Sequence, residues 1–150
     1  MPSTYTALHY HVIFATKNRE PCLGGDWRGD LHAYVGGILK GMEAHPLGVR
    51  GVADHVHVLV SMRPTVCLSD CVRELKKSAT AWVRERYPQF QRRFQWQEGY
   101  SAFTVSASAR EPVRRYIERQ EEHHRKKTFS EELHEFLERS GVAYDPRYMD

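Results

Sequence analysis

Apolar, aromatic and β-branched residues crowd Tyr5 to Thr16, and Lys17 to Pro21 then break the run, which predicts a first strand. The period changes after it. Leu31, Tyr34, Val35, Ile38, Leu39 and Met42 recur at three- and four-residue intervals, so a helix with one apolar face is expected, capped by Asp26 and ending near Ala44. Two short β-type runs follow, Gly48 to Ala53 and His55 to Met62, hinged at Asp54 as an antiparallel pair. Val72, Leu75, Ala79, Trp82 and Val83 predict a second helix, opened by Ser69 or Asp70 and stopped by Pro88. Phe94 to Ser106, interrupted by Gly99, predicts a fourth strand, straight or bulged. Ser108 then opens a third helix with Val113, Tyr116, Ile117 and Gln120 on one face. A last helix from Ser130 to Arg139 should stop at Gly141 and leave a polar tail holding Tyr144 and Tyr148.

The order β-α-β-β-α-β is that of an α+β ferredoxin-like split βαβ antiparallel sheet, with helices on one face and two further C-terminal helices. A chain of 150 residues suits one domain, with residues 130–150 as a C-terminal extension. That fold hosts many activities, so chemistry has to be read from sites.

Composition narrows the field only a little. No apolar run approaches the ~20 residues that cross a bilayer, and the N-terminus lacks the basic start and apolar stretch of a secretory signal, so a soluble cytoplasmic protein is expected. Cys22, Cys67 and Cys71 imply no disulfide framework, and Cys67 with Cys71 lacks the second pair that a zinc site would need. A net charge of +3 permits nucleic acid without demanding it. Its distribution says more, because basic residues gather in Arg73 to Lys77, Arg84 to Arg93 and Arg110 to Lys127, interleaved with aromatics and hydroxyls.

Two patterns carry chemistry. In Asp54-His55-Val56-His57-Val58-Leu59-Val60 the two imidazoles share one face of a strand and the valines point the other way, so a divalent metal could take two nitrogen ligands from a rigid platform. His9 and His11 repeat the spacing on the first strand, and either pair alone is also compatible with hydrogen-bonded or surface histidines. In Arg114-Arg115-Tyr116-Ile117-Glu118-Arg119-Gln120 a phenol and an amide stand on adjacent turns of one helix, where Tyr116 could act as a nucleophile and Gln120 could add a metal ligand; both could equally border the core. Arg115 and Arg119 suit a phosphate backbone better than a core, and Arg73, Lys76 and Lys77 on the second helix are further candidates for DNA contact.

Taken together, these two segments resemble the signature motifs of the single-tyrosine HUH transposases of bacterial insertion sequences, the IS200-like family that includes repeat-associated tyrosine transposases. The likeness extends to Tyr10-His11-Val12-Ile13-Phe14 with Lys17 and Arg19, to Glu98-Gly99-Tyr100, and to His123 through Phe129. It implies that Tyr116 is the catalytic nucleophile and that His55, His57 and Gln120 hold Mg²⁺ or Mn²⁺. It implies cleavage and rejoining of hairpin-bearing single-stranded DNA through a 5′-phosphotyrosine, without a nucleotide cofactor, by a homodimer whose site can combine the two subunits. His11 would border the site, and Asp54 would orient the histidine strand, sit near the metal, or simply make the turn or start the strand. The tail beyond residue 130 resembles the branch associated with dispersed palindromic repeats. Two other classes fit the same residues: a non-catalytic single-stranded DNA binder, and a metal-dependent phosphoesterase in which water replaces Tyr116.

Overall fold

The computed structural model describes residues 3–124 and 126–145. Arg125 and Tyr148 lie outside the described residues. Strands β1 (His9–Ala15), β2 (His45–Val52), β3 (His55–Ser61) and β4 (Ser101–Val105) form one antiparallel sheet in the order β2-β3-β1-β4. This is the expected split βαβ arrangement. Helices α1 (Arg28–Gly41) and α2 (Leu68–Arg86) make the two crossovers. After β4 come α3 (Arg110–Glu118), α4 (Gln120–His123) and α5 (Phe129–Ser140).

Alternation along the strands divides the sheet into two faces. Val12, Phe14, Val56, Val58 and Val60 meet Leu31, Val35, Leu39, Val72, Leu75, Ala79 and Val83 of α1 and α2 in the main core. Leu59 points to the opposite face and packs with Ile117, Val105, Val113 and Tyr116 in a smaller cluster. The sheet is therefore covered on both sides, α1 and α2 on one and the C-terminal helices on the other. His9, His11, His55 and His57 share the second face, and all four are buried.

Element ends moved where tertiary pairing overruled local pattern. Tyr5 is 91% exposed, and β1 begins only at His9, where partners on β3 and β4 first exist. Phe94 and Trp96 are buried aromatics ahead of β4, not within it; Trp96 makes a single bridge to Thr16. Asp26 does not cap α1, whose N-cap is Trp27, and α2 starts after Cys67 without a side-chain cap. Strand β2 reaches back to His45 through Pro46, which an edge strand tolerates because one side of it makes no ladder bonds. The helix expected to carry both Tyr116 and Gln120 is interrupted at Arg119 (φ −101°, ψ 23°), so the two residues fall on α3 and α4. Helix α5 is closed at both ends: Thr128 and Glu131 form a capping box, and Gly141 takes the left-handed conformation at φ 66°.

The β2-β3 hairpin turns through Ala53 and Asp54, and Gly51 lets the strands close, since a Cβ there would lie 2.1 Å from the His55 carbonyl oxygen. Thr16 holds the turn from the neighbouring strand, its amide and hydroxyl both donating to the Asp54 carbonyl.

On the α1 side, His32 is buried and its Nε2 has no hydrogen-bond partner among the described residues. Burial, helped by Arg50 and Arg28, pushes its pKa down to about 4. Between pH 4 and 6.5 the unfolded chain then carries a proton that the folded chain refuses, so stability falls as pH drops through that window, by up to about 3 kcal/mol from this residue. His32→Leu is expected to flatten that part of the pH profile in urea unfolding, with the slope above pH 7 unchanged.

Candidate active site

The hairpin turn, the interrupted helix and α5 converge on the histidine face of the sheet. His55 Nδ1 donates to Asp54 Oδ1 at 2.7 Å, which orients the ring and turns His55 Nε2 inward. His55 Nε2 lies 3.3 Å from Gln120 Oε1. His57 Nε2 donates to Glu132 Oε1 at 2.9 Å, while its Nδ1 is bonded to His11 Nε2 at 2.7 Å with the two rings stacked. His124 Nε2 lies 3.2 Å from Glu132 Oε1 and 3.1 Å from Gln120 Oε1. The Tyr116 hydroxyl donates to Glu132 Oε2.

Glu132 is thus the hub of the site. It is 2% exposed, and burial alone would raise its pKa, but hydrogen bonds from His124, His55 and His57 outweigh that and hold the carboxyl far below its usual range. His57 moves the other way. Burial pushes its pKa down to about 4, against the pull of Glu132, so near neutrality it is uncharged: Nε2 carries the proton given to Glu132, and Nδ1 accepts from His11. Burial also lowers His11, and the proximity of His57 adds to it. His55 is desolvated as well, yet its bonds to Asp54 and Glu132 raise it overall. For Tyr116, burial and then the Glu132 carboxylate push the phenol well above its ordinary value, so it keeps its proton. Glu132→Gln removes that carboxylate, and the Tyr116 phenol is expected to titrate closer to pH 10, read by ultraviolet absorbance against a Tyr116→Phe control.

One atom each from His55, His57, His124 and Glu132 lie within 4.8 Å of one another. Three imidazole nitrogens converging on a buried carboxylate and the Gln120 amide oxygen form a donor set suited to a divalent transition metal. An ion bound at the three Nε2 atoms would leave each ring's proton on Nδ1, which faces Asp54 Oδ1 in His55, His11 Nε2 in His57 and the Lys127 carbonyl in His124.

The structure brings together Tyr116, His55, His57 and Gln120 from one chain, although by way of two helices. Sequence reasoning missed His124 and Glu132. His9 stays apart, its Nδ1 buried without a partner among the described residues. Of the basic residues singled out, Arg115 and Arg119 are exposed on the histidine side. Arg73, Lys76 and Lys77 sit on α2, across the sheet; Arg73 pairs with Asp70, and Lys76 donates to the carbonyls of Gln97 and Gly99. Cys71 is buried in the core and Cys67 is exposed, and neither joins a metal cluster among the described residues.

A split βαβ sheet here presents paired histidines to a helix tyrosine. The profile of the family described as "Transposase IS200 like" matches residues 4–120, and the chain belongs to that family. It is 29% identical over 117 residues to the ISDra2 transposase TnpA of Deinococcus radiodurans, covering 75% of this chain and 84% of that one. It is 24% identical over 115 residues to the transposase for insertion sequence element IS200 of Salmonella typhimurium, covering 74% and 75%. Among solved structures, a candidate transposase from Deinococcus radiodurans superposes with a TM-score of 0.66 at 25% identity, over 80% of this chain and 95% of that one. A REP-associated tyrosine transposase bound to a REP hairpin gives a TM-score of 0.61 at 14% identity, over 83% and 73%, a likeness of fold. No helix among the described residues is long and apolar enough to cross a membrane.

Proposed function

We propose that this protein cleaves and rejoins single-stranded DNA by transesterification at Tyr116. The observation that carries this reading is the position of the Tyr116 hydroxyl, which shares Glu132 with His57 at the centre of the histidine cluster. In the forward step the phenol oxygen forms a bond to the scissile phosphorus, the bond to the 3′-oxygen breaks, and that oxygen leaves as a hydroxyl with one proton gained. The 5′-phosphate stays on Tyr116. A 3′-hydroxyl reverses the exchange, so the phosphodiester energy is conserved and no nucleotide cofactor is needed.

The residues placed to hold a metal are His55, His57 and Gln120, with His124 and Glu132 added by the fold. Their imidazole content favours Mn²⁺ over Mg²⁺, which prefers oxygen ligands and bound water. Such an ion supplies Lewis-acid polarisation of the phosphoryl oxygens. The chain's own residues do the rest: Asp54 and His11 fix the two ligand imidazoles, and Glu132 holds the phenol against the cluster until the phosphate competes for it. Arg115 and Arg119 are the better-placed phosphate contacts, and Arg73 and Lys77 the more remote. The relative that carries a REP hairpin supports a hairpin-bearing substrate. Exchanging two DNA ends needs two covalent intermediates at once, and one tyrosine per cluster therefore calls for a homodimer.

The test is a labelled hairpin oligonucleotide incubated with Mn²⁺. Label should become protein-linked beside a new 3′-hydroxyl, and an added acceptor strand should release it again. Cut DNA without protein-linked label at any time would point instead to the phosphoesterase reading.

A further inference from the structure

Beside the histidine cluster, where the C-terminal end of β1 meets the start of β4 and of α5, lies a cleft of about 260 Å³ lined in part by Arg19, Gln97, Glu98, Tyr100 and Phe129. Phe129 is common to both places: its ring centroid lies 4.5 Å from that of His55, and the Arg19 guanidinium stands over its ring, 5.6 Å from the centroid. Tyr100, on the opposite wall, is 41% exposed, although a large aromatic would ordinarily be covered.

The wall that carries Arg19 is strained and held. Asn18 and Arg19 adopt left-handed conformations, at φ 56° and 50°, that non-glycine residues take in succession only when the surroundings impose them. Here they do. The Lys17 amide donates to the Gln95 carbonyl at 3.0 Å, the Asn18 amide to Gln97 Oε1 at 3.2 Å, and the Gln97 amide to the Ala15 carbonyl at 2.8 Å. The opposite rim turns through Gly99 at φ 82° and is tied by Lys76 to the carbonyls of Gln97 and Gly99. The cleft is preformed, and among the described residues its lining holds the Tyr100 and Phe129 rings, one cation and one carboxylate.

We propose that this cleft is a nucleobase pocket, taking one unpaired base of the DNA strand next to the phosphate engaged by Tyr116. It rests on the function proposed above. A phosphate subsite would need a surplus of cations, whereas the described lining holds the Glu98 carboxylate as well as the Arg19 guanidinium. A base needs what is present: π-faces for stacking and a few donors and acceptors at its edge. Tyr100 supplies a stacking face, Phe129 an apolar wall, and Arg19, Gln97 and Glu98 the edge contacts. The strained Asn18-Arg19 turn is a positioning device that keeps the guanidinium over the pocket.

The probe is a hairpin oligonucleotide enriched by binding from a pool with randomised unpaired flanks, then remade with an abasic residue, or with fluorescent 2-aminopurine, at each flank position in turn. Binding to the full chain is measured in the Tyr116→Phe background, so that cleavage does not intervene. At one position the abasic residue should weaken binding by about five- to a hundredfold and 2-aminopurine should be quenched. In Tyr100→Ala, and separately in Arg19→Gln, the abasic penalty at that position should shrink while other positions keep theirs. An unchanged penalty in both variants, or no position that matters, overturns the pocket and leaves the Tyr116 reading standing if wild-type adduct still forms. Failure of the protein to enrich or bind any such oligonucleotide overturns both.

Discussion

Replacing both His55 and His57 by alanine is expected to remove metal-dependent cleavage altogether and to abolish Mn²⁺ binding in calorimetry. The two imidazoles contribute half of the four-residue cluster and are rigidly placed, being 0% exposed on an inner strand of the sheet. His9→Ala should bind metal as the wild type does. His11 belongs with the site: it bonds His57 Nδ1, and a metal on Nε2 would reverse that bond so that His57 donates and His11 accepts. His11→Ala is therefore expected to weaken Mn²⁺ affinity about 10- to 100-fold, the usual cost of losing a group that orients a ligand. Equal affinity in the double variant and the wild type would remove the histidine face from the mechanism.

The second large effect is at Tyr116. Tyr116→Phe deletes one hydroxyl and leaves the ring against Phe136 and His123, so the fold and single-stranded DNA binding should persist while protein-linked DNA disappears. The loss should be complete, since no other side chain holds a hydroxyl at the cluster among the hydrogen bonds described. An adduct that survives in the variant would move the nucleophile elsewhere.

Much of this site was legible in the chain because strand and helix periods are local. The alternation in His55 to Val60 forces both imidazoles to one face whatever the rest of the chain does, and the fold kept it. The spacing of Tyr116 and Gln120 survived even though the helix breaks between them. That break has a local cause no apolar pattern records: the amide of Arg119 turns to the Tyr116 and Ile117 carbonyls, and the chain starts a new short helix. His124 was readable in hindsight as the next step of the four-residue series Tyr116, Gln120, His124. Glu132 was harder. In the sequence it is an ordinary acid in a first helical turn, and its only signal is that it lies four residues before Phe136, on the apolar side of α5. The β4 boundary failed for a different reason, because Phe94 and Trp96 have strand-like composition but spend it on core packing with Phe14 instead of on a ladder.

The central claim is that Tyr116 becomes covalently joined to DNA. Mass spectrometry of the wild-type protein after reaction with a hairpin oligonucleotide and Mn²⁺, followed by nuclease trimming and peptide mapping, tests it directly. A nucleotide attached through a 5′-phosphate to the peptide that contains Tyr116 is the expected result. Cleaved DNA with every peptide at its unmodified mass, or a nucleotide on any other residue, would contradict it.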